Sequence, residues 1–296
     1  MSTRRDFLRL GGLLTAVAVT GLAEAAEPIS RKGAPVIKIG CAAQSYRKYL
    51  RDDKTMNIEQ FIEAAAEMGC DGVELTSYFF PVGFDTAYIN KLKRKAFLLG
   101  LDVCATSVAN NFALAPGEKR DPNIEHVKQW IGYAAEMGAP CMRVFAGDAE
   151  KDVSLETAMS WVAQCFETCA PLAEQRGVIL AMENHGTLTS VADRAIGILK
   201  SVRSDWVALN LDTGNFRSAD PYADIAKAAP YSVTTHFKSE VAPAGKPKEP
   251  ADLKRIVKIL RDCGYRGYLT LEYEGKDEPK VAVPNIIKAM KEAVEG

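Results

Sequence analysis

The sequence predicts an α/β fold, a closed (β/α)8 TIM barrel in a single domain over residues 36–296, and three observations carry that prediction. Short β-branched runs alternate eight times with amphipathic helical stretches, at a spacing of about 30 residues, the size of one βα unit. Helical stretches repeatedly end on a glycine just ahead of the next strand. The alternating region runs for about 260 residues with no linker or shift in composition, the usual length of a closed parallel barrel.

The elements follow in order. A first strand is predicted at 36–42, and no Gly-x-Gly-x-x-Gly succeeds it, which argues against an open doubly wound sheet. The exit Glu67-Met68-Gly69 leads into a strand at 71–76, Leu98-Leu99-Gly100 into 101–106, and Glu136-Met137-Gly138 into 140–145. Gln175-Arg176-Gly177 opens the fifth strand, 177–183; strands at 206–212 and 232–237 follow, and Asp262-Cys263-Gly264 precedes the eighth, 267–272. Glycine fits each exit because a helix commonly ends in the left-handed conformation. Helix-to-strand turns are short, whereas the connections after strands 1, 2, 3 and 7 are long, and in a barrel those gather at the C-terminal face, where active sites form.

Side chains alternate along a strand, so parity separates the axis from the helical layer. Val178, Leu180 and Met182 oppose Ile179, Ala181 and Glu183; Val207, Leu209 and Leu211 oppose Ala208, Asn210 and Asp212. Val233 and Phe237 oppose Ser232, Thr234 and His236, and Leu269 and Leu271 oppose Tyr268, Thr270 and Glu272. The bulky aliphatic parity belongs against the helices. The other parity climbs the axis and ends, on four consecutive strands, in Glu183, Asp212, His236 and Glu272. Rim carboxylates held in salt bridges are the blander explanation.

Before residue 36 the chain reads as an export signal. Arg4-Arg5 precedes Phe7-Leu8, an uncharged stretch runs from Leu10 to Leu22, and Ala23-Glu24-Ala25 offers a cleavage site. The expectation is a Tat-type signal over 1–25, a linker over 26–35, a periplasmic or extracellular mature protein, and no membrane insertion once the signal is cut, since the apolar run is short for a span. Lys and Arg number 37 against 38 Asp and Glu, mixed along the chain, so no basic nucleic-acid surface is expected and a small neutral or weakly anionic partner is. Seven cysteines without a C-x-x-C pair argue against a disulfide framework or structural zinc, and Cys165 and Cys169, four apart on a helix, are expected to face the core.

Three carboxylates and an imidazole suit one divalent ion of hard or borderline character: Mn²⁺ first, with Mg²⁺, Co²⁺ or Zn²⁺ as alternatives. Lys238, two residues past His236 on the same parity, stands at the lip, either to offset negative charge developing on a substrate or as a solvated lysine paired with Glu240 or Glu274.

Ala181-Met182-Glu183-Asn184-His185, Leu211-Asp212-Thr213-Gly214-Asn215, Thr235-His236-Phe237-Lys238, Leu271-Glu272 and Gly72-Val73-Glu74-Leu75 together resemble the xylose isomerase-like TIM-barrel superfamily over essentially the whole mature chain. That superfamily includes ketose 3-epimerases, hydroxypyruvate isomerases, inosose dehydratases and endonuclease IV. The resemblance implies that Glu183, Asp212, His236 and Glu272 hold the metal, and that Glu183 and Glu272 pass a proton on and off a substrate carbon. It places Asn215 where a substrate-contacting His often stands, and His185 within reach of a substrate hydroxyl, unless His185 is bonded to a neighbouring loop. Gln44, Glu74 and Arg143 stand as further pocket contacts or as buried polar residues of the barrel interior. Tyr46, Tyr78, Phe79, Phe80 and Phe112 on the long loops offer faces for sugar rings or anchor those loops.

The departures also inform. The chain has only three histidines, His126, His185 and His236, too few for the trinuclear site of endonuclease IV, and His126 is expected in a helix away from the mouth. No Arg occurs in Lys238-Ser239-Glu240-Val241-Ala242, where ketose 3-epimerases carry one, and a Lys two places after the His is more like the inosose dehydratases. The expected function is a metal-dependent isomerase or epimerase of an unphosphorylated sugar or keto-polyol, acting by proton abstraction through an enediolate. Two alternatives stand beside it: a lyase or dehydratase that eliminates a β-substituent from a keto-sugar or keto-glycoside, and a sugar-binding barrel without catalysis.

Overall fold

The computed structural model describes residues 26–296, so the predicted export signal, residues 1–25, lies outside the described residues. The strands are β1 (Val36–Ala42), β2 (Gly72–Thr76), β3 (Asp102–Ser107), β4 (Cys141–Phe145), β5 (Ile179–Glu183), β6 (Val207–Asp212), β7 (Ser232–Phe237), a small pair β8 (Glu240–Val241) and β9 (Glu249–Pro250), and β10 (Arg266–Leu271). The helices are α1 (Ile58–Glu67), α2 (Thr86–Leu98), α3 (Asp121–Met137), α4 (Leu155–Arg176), α5 (Ala192–Ser201), α6 (Pro221–Ala228), α7 (Leu253–Asp262) and α8 (Pro279–Glu295). Eight parallel strands close in the order β1-β10-β7-β6-β5-β4-β3-β2, and β8 and β9 form a separate antiparallel pair in the loop after β7.

The predicted boundaries lie within two residues of those observed. The largest offset, at the fifth strand, has a simple cause: Gly177 is consumed as the C-cap of α4, left-handed at φ +67°, so the ladder begins only at Ile179. The glycines of the other four exits, 69, 100, 138 and 264, are also left-handed, with φ between +69° and +79°. At Gly138 the amide donates to the carbonyls of Ala134 and Ala135, closing α3 before β4 starts.

Barrel closure carries the predicted parity through. In register, Asp212 stands opposite His236 and Thr270 opposite His236, so the ligand-bearing side chains of β6, β7 and β10 share the inner face. Leu180, Met182, Leu209, Leu211, Leu269 and Leu271 are buried on the other parity with the helices. The axis is polar for a barrel core, filled by Glu74, Thr106, Arg143, Asn210, Thr234 and Thr270. All seven cysteines are free; six are buried, Cys165 and Cys169 among them, and Cys263 is half-buried. Residues 26–35 contain no helix or strand and are fastened to the N-terminal end of β7: the Ile29 amide donates to Pro230 O at 2.9 Å, and the Arg31 guanidinium donates to Ser232 O. Among the described residues, no helix is long and apolar enough to cross a membrane.

Candidate metal centre

Glu183 is the last residue of β5, Asp212 the last of β6, His236 the next to last of β7, and Glu272 the first beyond β10. Each presents one ligand atom, and these atoms all lie within 4.8 Å of one another. The four side chains are between 0% and 5% exposed, so three carboxylates share one desolvated pocket. Such a cluster is costly unless cations compensate it. Two do so. Arg143 Nε lies 3.0 Å from Glu183 Oε2, and Lys238 Nζ lies 2.6 Å from Glu272, 2.7 Å from Glu274 and 3.6 Å from Asp212.

Compensation is nonetheless incomplete. Glu183 Oε2 and Asp212 Oδ2 are buried with no hydrogen-bond donor, because Arg143 Nε is near Glu183 but out of line. Acceptor oxygens left bare beside an imidazole nitrogen are what a divalent cation requires, and an O,O,O,N set accommodates Mn²⁺, Mg²⁺, Co²⁺ or Zn²⁺. The residues therefore fit one such ion.

A second row fixes the first. His236 Nε2 sits 2.7 Å from Glu74 Oε2, both residues fully buried, which turns Nδ1 toward Glu272 at 3.3 Å and Glu183 at 3.8 Å. A carboxylate on the far nitrogen orients a ligating imidazole and raises its basicity. The Asn184 amide ties the ends of β5 and β6 together, donating to Asp212 O at 2.9 Å and accepting from the Asp212 amide at 2.7 Å. The Asn210 amide lies 3.2 Å from His236 Nδ1. Gly214 leaves room for the lysine: a Cβ there would stand 2.5 Å from Lys238 Cβ.

The charges shift one another. Burial pushes Glu183 above the usual carboxylate range against the pull of Arg143, and it pushes Asp212 up to about 7 against Lys238. Burial acts the same way on Glu272, but Lys238 and His236 outweigh it and hold that carboxyl well below its ordinary value. Burial alone would depress His236 and Lys238; the carboxylates of Glu74 and Glu272 around the imidazole, and of Glu272, Asp212 and Glu274 around the ammonium, hold both well above.

The structure brings most of the other predicted residues to this mouth, in differing roles. Asn215 donates to Glu183 Oε1 at 3.1 Å and, with Lys238, borders a polar cavity of about 80 Å³. Lys238 pairs with Glu274, as the blander expectation had it, but reaches Glu272 as well. His185 is exposed at the rim and stacks on Phe145, ring centroids 4.6 Å apart; its pKa is drawn down by partial burial and then by the charge of Arg143. Gln44 borders another cavity at the mouth beside Tyr273 and Glu274, and its buried Oε1 has no partner.

Glu74 and Arg143 are barrel interior. Arg143 is 2% exposed and is committed to Val108 O at 2.9 Å, Tyr78 Oη at 3.1 Å and Glu183, with the guanidinium over the Phe145 ring at 3.8 Å. One expectation is overturned: His126 lies in the first half of α3, near the mouth, and lines a cavity with Ser77 and Ala109. The reason is directional, since a helix that follows a parallel strand starts at the C-terminal face. Phe145, Asn184 and Asn210 have roles that the sequence did not single out; for Phe145 the available signal was its place at the end of a barrel strand.

A model of the family described as xylose isomerase-like TIM barrel matches residues 62–294. No curated protein sequence matches the chain. Among solved structures, D-psicose 3-epimerase with D-tagatose from Clostridium cellulolyticum H10 is similar at TM-score 0.72 and 17% identity, covering 87% of this chain and 99% of that one. The 3-keto-D-glucoside 4-epimerase of E. coli is similar at TM-score 0.69 and 17% identity, covering 86% and 99%. An IolI protein with a bound zinc atom gives TM-score 0.72 and 16% identity, covering 87% and 96%. At these identities the likeness is one of fold.

Proposed function

We propose that this chain, which belongs to the xylose isomerase-like TIM barrel family, is a divalent-metal-dependent isomerase or epimerase of an unphosphorylated sugar or keto-polyol. The observation that carries the reading is geometric: Glu183 and Glu272, on strands separated by two others in the barrel, end in one buried cluster with Asp212 and His236 whose ligand atoms all lie within 4.8 Å of one another. A dication held by Glu183, Asp212, His236 and Glu272, Mn²⁺ as first choice, supplies Lewis acidity to the carbonyl and neighbouring hydroxyl oxygens of a bound substrate.

Glu272 accepts the proton from the carbon between those oxygens, and Glu183 returns one from the other side, since β5 and β10 are separated by β6 and β7 in the barrel. Arg143 and Asn215 orient Glu183, while Lys238 keeps Glu272 ionised. Similar structures include proteins described as a D-psicose 3-epimerase and a 3-keto-D-glucoside 4-epimerase, which supports a sugar or keto-sugar substrate.

Lys238 supports a second reading. Its ammonium, 2.6 Å from Glu272, can hand a proton to a departing oxygen, which would make the overall reaction a β-elimination. Product analysis by NMR in D₂O, over ketoses and 3-keto-sugars with added Mn²⁺, separates the two. Deuterium at carbon with the skeleton intact supports the isomerase, an unsaturated product with a released group supports the lyase, and no change in any substrate refutes both.

The same proposal places the mature protein outside the cytoplasm, on the strength of Arg4-Arg5 and the uncharged run that follows. Replacing both arginines by lysine should retain the precursor in the cytoplasm; normal export of that variant would refute a twin-arginine route.

A further inference from the structure

We infer that a second carbohydrate ring docks beside the metal cluster, in an aromatic cavity between the β2–α2 loop and α3, so that the substrate is a glycoside or oligosaccharide. This deepens the proposed function and rests on it for the reacting ring. The cavity measures about 440 Å³ and has Tyr78, Phe80, Phe84, Trp130 and Tyr133 in its walls. Its place relative to the cluster follows from the fold. Ser77, which also lines it, directly follows the last residue of β2, and Ala109 stands two residues past β3, so one end of it lies at the C-terminal face, while Trp130 and Tyr133, in the second half of α3, line the end farther from the mouth. The Tyr78 hydroxyl accepts from Arg143 Nη2 at 3.1 Å, while Nε of the same guanidinium lies 3.0 Å from Glu183. One planar group thus spans from the cavity wall to the candidate acid.

The chemistry of the lining selects the ligand. Phe80 and Trp130 meet edge to face at 5.1 Å, Trp130 and Tyr133 at 5.4 Å, and Phe84 packs on Tyr133 at 4.8 Å. Trp130 is buried, while Tyr78, Phe80, Phe84 and Tyr133 keep part of their apolar surface exposed to the C–H side of a sugar. Gln129 and His126 add hydrogen-bonding groups along α3. No Lys, Arg, Asp or Glu lines the cavity, and burial lowers the His126 pKa, favouring its uncharged form. The other cavities at the mouth, around Glu274, carry lysines and carboxylates in their walls. A neutral pyranose suits the aromatic cavity; a phosphate or a uronic acid finds no counter-charge there.

Packing alone does not account for the lining. Phe80, Phe84 and Tyr133 pack on one another and on Trp130 yet remain half-buried, and Val82, at the crest of the same loop, is wholly exposed. The loop therefore presents apolar surface to solvent along the cavity.

Saturation-transfer NMR and titration of the full chain with glucose, cellobiose and maltose test the assignment, the two disaccharides representing β- and α-linked rings. At least one disaccharide is expected to bind tenfold or more tightly than glucose. Tyr133→Ala should abolish that advantage, and Gln129→Ala should weaken it several-fold. Equal affinity for all three sugars, no binding of any, or an advantage that survives Tyr133→Ala would overturn the inference. Should circular dichroism show Tyr133→Ala to be unfolded, Gln129→Ala decides, and an unchanged disaccharide affinity in that variant refutes the site. Absence of deuterium exchange into any ketose, with disaccharide binding retained, would count against the catalytic reading while leaving the second-ring site standing.

Discussion

Replacing Glu74 by alanine should weaken metal binding about 10–100-fold while leaving every proposed ligand in place, the range seen when the carboxylate behind a ligating histidine is removed. The structure gives an independent route to the same figure. Glu74 Oε2 and His236 Nε2 are 2.7 Å apart, and neither residue is exposed to water that might replace the lost partner. A buried donor left without an acceptor costs about 1–3 kcal/mol, and about 1.4 kcal/mol corresponds to a factor of ten in affinity. Once freed, the imidazole can rotate away from the line that points Nδ1 at Glu272 and Glu183. Glu74→Gln keeps an acceptor for Nε2–H but no charge, so its loss should be smaller than that of alanine, about tenfold or less. The assay is calorimetric titration of chelator-stripped protein with MnCl₂, with circular dichroism to establish that each variant is folded. A folded Glu74→Ala protein that binds Mn²⁺ within twofold of wild type would refute the orienting role.

Other outcomes follow from the same geometry. Metal uptake should release protons: His236, Glu183 and Asp212 are all raised, Asp212 to about 7, so the metal-free site holds protons that a cation must displace and apparent affinity should fall as pH drops. Titrations at one pH in two buffers of different ionisation enthalpy measure the release, and buffer-independent heats would count against it. Gly214→Ala should push the Lys238 stem away from Glu272, since the new Cβ would lie 2.5 Å from Lys238 Cβ and 2.7 Å from Glu240 O. Overpacking of this kind costs about 1–3 kcal/mol, read as a melting temperature lower by several degrees, and an unchanged melting curve would show that the loop yields freely. In the native protein a thiol reagent should titrate Cys263 ahead of the six buried cysteines, whereas all seven should react in denaturant; rapid native reaction of several thiols would contradict the packing.

Much of this site was legible in the sequence because strand parity has a period of two and the barrel is parallel. Once the eighth-strand run was placed, Glu272 had to fall on the face of Thr270 even though β10 ends at Leu271. What lay beyond reach were contacts set by closure. Glu74 on β2 meets His236 on β7 across the axis, and nothing in either segment announces the partner. Arg143, Phe145 and His185 pack in a row whose members come from β4 and the loop after β5, with the guanidinium engaged by Glu183, Tyr78 and the Val108 carbonyl instead of by a ligand. His126 was within reach of the sequence, because a helix that follows a parallel strand starts at the C-terminal face and His126 falls in the first half of its helix. Lys238 was open between two roles for a different reason: its position follows from strand parity, but the loop after β10, which brings Glu274 to it, has no periodicity to read.

The most direct test of the central claim is solvent deuterium exchange into a ketose, followed by NMR, with Mn²⁺-loaded wild type compared with its Glu183→Gln and Glu272→Gln variants. General acid–base catalysis contributes about 10²–10⁴-fold, so each variant should retain bound metal and lose exchange by at least that range, Glu272→Gln at the proton-abstraction step. Exchange at the wild-type rate in both metal-loaded variants would reduce the two glutamates to ligands and contradict the account.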